Sequence, residues 1–96
     1  MYLLHVTYTV KPGQKENFVA AVAATGIDAA SRAEAGNGQY DYFYAADKAD
    51  TVLLVELWDS VAAQQAHTQT AHFQALGAIK DQYVLETAIE KYVWGE

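Results

Sequence analysis

From Tyr2 to Val10 apolar and polar side chains alternate. Tyr2, Leu4, Val6, Tyr8 and Val10 share one face, and Leu3, His5, Thr7 and Thr9 the other. A period of two predicts a strand. Lys11-Pro12-Gly13 ends it, with Pro12 suited to the first turn of the next element. From Gln14 to about Glu34, Phe18, Ala21, Val22 and Thr25 recur at i, i+3, i+4 and i+7, one face of a helix. Gly26 marks a bend or break, after which Ile27, Ala30 and Ala33 continue a small-residue face. Gly36-Asn37-Gly38 reads as a turn, and Gln39 to Tyr44 as a second strand with Tyr40, Tyr42 and Tyr44 on a common face. A polar loop from Asp47 to Asp50 leads into a third strand, Thr51 to Trp58. Asp59 or Ser60 caps a short helix running through His67, and Thr68 or Thr70 offers a second cap. Ala71 to Gln82 then predicts another helix, and Val84 to Trp94 a fourth strand.

The order β-α-β-β-α-β predicts an α+β fold, the ferredoxin-like sandwich with an antiparallel sheet covered by helices on one face. The third strand does not suit a sheet that is wet on its other side. Val52, Leu54 and Trp58 alternate with Leu53, Val55 and Leu57, so both faces are apolar. The bare face calls for a cover, and a second copy packed sheet to sheet is the simplest one.

At 96 residues the chain is expected to form a single domain over residues 1–96. A domain this size buries only about 60% of its extended surface, and no cysteine is present to staple it. A homodimer is therefore the expected state. The missing cysteines also exclude disulfides, thiolate zinc sites and thiol nucleophiles. A net charge of -6 opposes nucleic acid and anionic lipid, so neither is an expected partner. Residues 1–10 lack the basic and apolar regions of a signal peptide, and cytoplasm is the expected location.

No glycine-rich nucleotide loop and no nucleophile elbow is present. The candidate chemistry lies in the histidines and one carboxylate. His67 closes a short helix and His72 opens the next. In one unbroken helix they would sit about 140° apart, but a break at Thr68-Gln-Thr70 lets them converge. No HxH or HxxxH spacing supports a metal, and none is expected. Glu56 interrupts an apolar strand, so its carboxylate must enter a pocket or find a partner. It either makes a structural hydrogen bond or orients a histidine. Trp58 shares its parity, and the tyrosine face of the second strand offers further walls for a flat organic ligand, or simply an aromatic core.

Val10-Lys-Pro-Gly13, Gly38-Gln-Tyr40, Val55-Glu-Leu-Trp-Asp59 and His67-Thr-Gln-Thr-Ala-His-Phe73, in that order, resemble the antibiotic biosynthesis monooxygenase family of dimeric α+β barrels. The most specific part of the resemblance is the Glu-x-Trp block followed nine residues after the Trp by His, then by His-Phe. The family's Glu-Pro-Gly before the second strand is Glu34-Ala-Gly36 here, a change that bears on the turn. The resemblance implies paired sheets in a homodimeric barrel, with a pocket between sheet and helices. Some members oxidise quinols or polyphenols without flavin, metal or haem; others degrade haem or process a small phosphorylated signal. The haem-degrading branch carries Trp at the position of His67 and His at that of Gly77, so haem degradation is not expected.

The expected function is a cofactor-independent oxidoreductase, a monooxygenase acting on a small aromatic substrate with O₂. His67 is the expected general base, with Glu56 orienting it. Trp58 and Phe73 would wall the ring, with His5, Tyr42 and His72 as further substrate-binding candidates. Two rivals remain open. One is acid–base processing of a small carbonyl or sugar phosphate, which would gain if Arg32 or Lys91 points into the pocket. The other is a non-catalytic small-molecule-binding module.

Overall fold

The computed structural model describes residues 1–95. Four strands and four helices follow in the order β1 (Tyr2–Val10), α1 (Lys15–Ala24), α2 (Ile27–Arg32), β2 (Asn37–Tyr44), β3 (Thr51–Trp58), α3 (Val61–His67), α4 (Ala71–Tyr83) and β4 (Val84–Val93). The sheet order is β2-β3-β1-β4, antiparallel throughout. This is the ferredoxin-like arrangement with each helical crossover split in two.

The first split lies at Gly26, whose φ of 76° places it in the left-handed region. A side chain is rarely accommodated there, so glycine lets the chain leave α1 and start α2 at once. The Thr25 hydroxyl closes α1 by donating to the Ala21 carbonyl at 2.7 Å. The second split lies between α3 and α4. Ser60 Oγ accepts the Ala63 N–H, capping α3. Thr70 Oγ1 accepts the Phe73 N–H, capping α4, and its hydroxyl donates to the His67 carbonyl at 2.8 Å. Of the alternatives open in the sequence, Ser60 and Thr70 are the caps.

One face of the sheet packs on the helices. Tyr2, Leu4, Val6, Tyr8 and Val10 from β1, with Val52, Leu54 and Trp58 from β3, meet Phe18, Val22, Ile27 and Leu76 in a buried core. Phe18 and Trp58 are fully buried, and truncating either to alanine should cost about 3–5 kcal/mol. Glu56 lies in this same buried layer. No element among the described residues covers the opposite face. Leu3, Leu53, Val55 and Leu57 are half-buried there only by their neighbours, and Phe43 and Tyr92 are exposed. Most of β4 is exposed. No helix among the described residues is long and apolar enough to cross a membrane.

Candidate active site

The strand register fixes the floor of a cavity. Glu56 stands level with Leu4 of β1 and Tyr40 of β2. Further along β1, Val6 pairs with Ile89 and Tyr8 with Thr87 of β4. The roof is α4, where Phe73, Leu76, Gly77 and Lys80 recur at i, i+3, i+4 and i+7 and so share one helix face. Between floor and roof lies a space of about 160 Å³. Glu56, His67, Tyr40 and Gln64 line one part; Val6, Phe73, Leu76 and Ile89 supply apolar wall; Tyr8, Lys80 and Thr87 complete it.

His67 is buried at the end of α3, boxed by aromatic rings. Trp58 lies 4.9 Å from it in a tilted stack, Phe73 meets it edge-on at 5.2 Å, and Tyr40 is 5.8 Å away. Its ring nitrogens have different neighbours. Nδ1 lies 2.5 Å from Glu34 Oε2, while Nε2 faces Glu56 Oε1 at 3.8 Å. Glu34 Oε2 also meets His72 Nε2 at 2.8 Å. A carboxylate oxygen is an acceptor, so we assign an N–H to each ring nitrogen that faces it. His67 then carries an N–H on Nδ1 and turns Nε2, which makes no hydrogen bond among the described residues, toward Glu56. The break after α3 thus brings His67 and His72 together, their ring centroids 5.7 Å apart, with Glu34 between them.

Glu56 has a poorer environment for charge. Its Oε1 accepts the Trp58 indole N–H at 3.2 Å. Burial pushes its carboxyl up to about 7, the Trp58 hydrogen bond opposes that rise, and the charge of Glu34 adds to it. The tyrosines are no rivals as bases. Burial lifts the Tyr40 hydroxyl to about 12 and those of Tyr8 and Tyr42 higher still, so all three keep their protons.

Of the candidates taken from the sequence, His67, Glu56 and Phe73 line the cavity. Trp58 stands behind them, fully buried, holding Glu56 and stacking on His67. His72 also lies behind, on Glu34. Tyr42 packs against Phe18 and Tyr40 under α1. His5 belongs to the open face of the sheet and meets Tyr92 at 5.6 Å. Neither Arg32 nor Lys91 is among the lining residues; Arg32 is engaged by Asp28, Asp41 and the Tyr40 carbonyl. The residue missed was Glu34, thirty-three positions before His67. Its one signal was its place in the Glu34-Ala-Gly36 variant of the family's turn motif.

Glu34, His67 and His72 also place three ligand-type atoms within 4.8 Å of one another. The trio is already complete as a hydrogen-bonded unit, since one oxygen receives both imidazoles.

Fold and site together define a small ferredoxin-like domain with an aromatic, largely apolar cavity and a histidine–carboxylate pair in its wall. The model of the antibiotic biosynthesis monooxygenase family matches residues 1–78, and the chain belongs to that family. It is 38% identical over 78 residues to "Putative monooxygenase YcnE" of Bacillus subtilis, covering 81% of this chain and 80% of that one. Among solved structures, PA3566 from Pseudomonas aeruginosa superposes with a TM-score of 0.84 at 27% identity, covering 99% of this chain and 94% of that one. A Deinococcus radiodurans protein, named an antibiotic biosynthesis monooxygenase with the same "putative" qualifier, gives 0.83 at 25% identity over 100% and 94%.

Proposed function

We propose that the chain is a cofactor-independent monooxygenase that converts a phenol or quinol-type aromatic to a quinone with O₂. The carrying observation is the placing of His67 in the cavity wall, with Nδ1 held by Glu34 at 2.5 Å and Nε2 without a hydrogen-bond partner among the described residues. His67 Nε2 takes the phenolic proton. The resulting phenolate is electron-rich enough to pass one electron to O₂, and the two radicals join at a hydrogen-bearing ring carbon ortho to the oxygen. Protonation gives a hydroperoxide. Loss of the ring proton and cleavage of the O–O bond then release water and leave the quinone. One phenol and one O₂ give one quinone and one water, so the substrate supplies all the electrons. Glu56, whose carboxyl sits near 7, delivers the proton to the departing oxygen. The apolar wall excludes water from the phenoxyl–superoxide pair.

The same reading takes the active form as a homodimer. The apolar face formed by Leu3, Leu53, Val55 and Leu57 lies opposite the cavity, so a second copy can cover it without blocking the site.

Turnover in an oxygen electrode, with chelator-treated protein and a panel of single-ring phenols and quinols, tests the reaction. With ¹⁸O₂ one labelled atom should enter the quinone. Replacing His67 with alanine should lower kcat by at least about a hundredfold. An unchanged rate would remove His67 from its role, and loss of turnover on chelation, restored by a divalent metal, would replace the cofactor-free scheme.

A further inference from the structure

The cavity has a second polar region that the proposed chemistry does not use. Lys80 projects from α4, its Nζ 5.6 Å above the ring of Tyr8. It is the one Lys or Arg among the lining residues, and Thr87 of β4 lines the same part. Along β1, Tyr8 lies four residues from Leu4, the partner of Glu56, a backbone separation of about 13 Å. On α4, Phe73 beside His67 lies seven residues from Lys80, or about 10 Å. Lys80 therefore sits at the end of the cavity away from the His67–Glu56 pair.

Its charge meets the face of the Tyr8 ring. Among the described residues no carboxylate forms an ion pair with Lys80, whereas Arg32 meets both Asp28 and Asp41. No lysine forms an ion pair among the described residues, and what sets Lys80 apart from the other four is its place in the cavity lining. Gly77, one turn before it, adds no side chain between Lys80 and the apolar middle of the cavity. The volume of about 160 Å³ also limits the occupant. An engineered apolar cavity of about 150 Å³ holds one benzene molecule, so this space suits a single ring with small substituents.

We propose that Lys80 and Thr87 form an anion subsite, and that the substrate is a single-ring phenol or quinol bearing a carboxylate on the side remote from the hydroxyl that His67 deprotonates. This rests on reading the cavity as the substrate site. Lys80 gives the carboxylate a charge-assisted bond, Thr87 a hydroxyl donor, and the apolar middle takes the ring face. The pairing fixes which hydroxyl reaches His67, and so which ring carbon meets O₂.

The test is anaerobic binding, which needs no turnover. 4-Hydroxybenzoate and its neutral isostere 4-hydroxybenzamide are titrated by calorimetry into the wild-type protein, Lys80→Met and Lys80→Arg, each first checked for an unchanged melting temperature. Wild-type protein should favour the acid by about 10- to 100-fold. Lys80→Met should lose that preference while binding the amide as before, and Lys80→Arg should keep most of it. Equal affinities in the wild type, or an acid preference that survives Lys80→Met, would overturn the subsite. Tighter binding of 4-hydroxyphenyl phosphate than of the carboxylate would overturn the carboxylate assignment. Lys80-dependent binding without oxygen consumption by 2,5-dihydroxybenzoate would leave the subsite standing and defeat the monooxygenase reading instead.

Discussion

Replacing Glu56 with glutamine should stabilise the fold at alkaline pH and do little at acid pH. Glu56 is 6% exposed, and its carboxyl is raised from 4.5 to about 7, chiefly by burial. A raised folded-state value means that the native protein holds a proton which the unfolded chain releases. The stabilising term from this group is complete below about 4.5, declines as pH climbs, and is gone above about 7. At about 1.4 kcal/mol for each tenfold change, ionised Glu56 costs the fold on the order of 3 kcal/mol at pH 8. Glutamine avoids that cost, and its amide oxygen can still accept the Trp58 N–H that Glu56 Oε1 now receives. Urea unfolding at one fixed protein concentration checks this at pH 5 and pH 8. The variant should gain about 3 kcal/mol at pH 8, moving the midpoint up by about 1–3 M, and under about 1 kcal/mol at pH 5. A gain equal at both pH values, or larger at pH 5, would refute the reasoning, because only the ionised carboxylate carries the penalty.

Two further outcomes follow from the same geometry. Glu34→Gln offers a single carbonyl to two imidazole N–H groups and removes the charge facing the His67 ring. It should lower kcat about 10- to 100-fold in the oxygen-electrode assay and leave KM within about threefold, whereas loss of fold would show in the melting curve. Leu53→Glu puts a carboxylate in the apolar open face opposite Phe43 and Thr7, so a protein that sizes as a dimer should run as a monomer.

β1 and β3 were legible because burial alternates regularly along them. In β1 every second residue is buried over the whole length, so periodicity alone set both extent and facing. Gly26 was legible as an interruption, but only its positive φ decides that two helices form rather than one bent helix. The convergence of His67 and His72 was legible as an option, because the capping threonines between them break the helix. What they converge on was not. Glu34 follows α2, and its role comes from the packing of a distant segment, which no local pattern records. Parity also gives a face, not a position across it. Trp58 and Glu56 share a face, yet the indole stands behind the carboxylate, and cavity wall went instead to Leu76, Gly77 and Lys80 of α4. The alternation in β1 already put His5 on the face opposite Val6 and Tyr8, and so away from the cavity.

The site separates two residues of one chemical type by what surrounds them. Glu34 receives two imidazole N–H groups through a single oxygen, so its task is to hold protons in place on the neighbouring rings. Glu56 receives one indole N–H, is buried, and feels the charge of Glu34, so its own charge is poorly compensated and its carboxyl stays near 7. His67 stands between them, one nitrogen toward each. Under the proposed reaction this asymmetry sets the direction of proton flow. Nδ1 is fixed by Glu34 and leaves Nε2 free to accept the substrate proton, while Glu56 has a proton to give to oxygen. Exchanging the two environments would leave the base blocked and the acid ionised. The arrangement around each carboxylate, more than the presence of a histidine, makes the cavity suited to acid–base work at neutral pH.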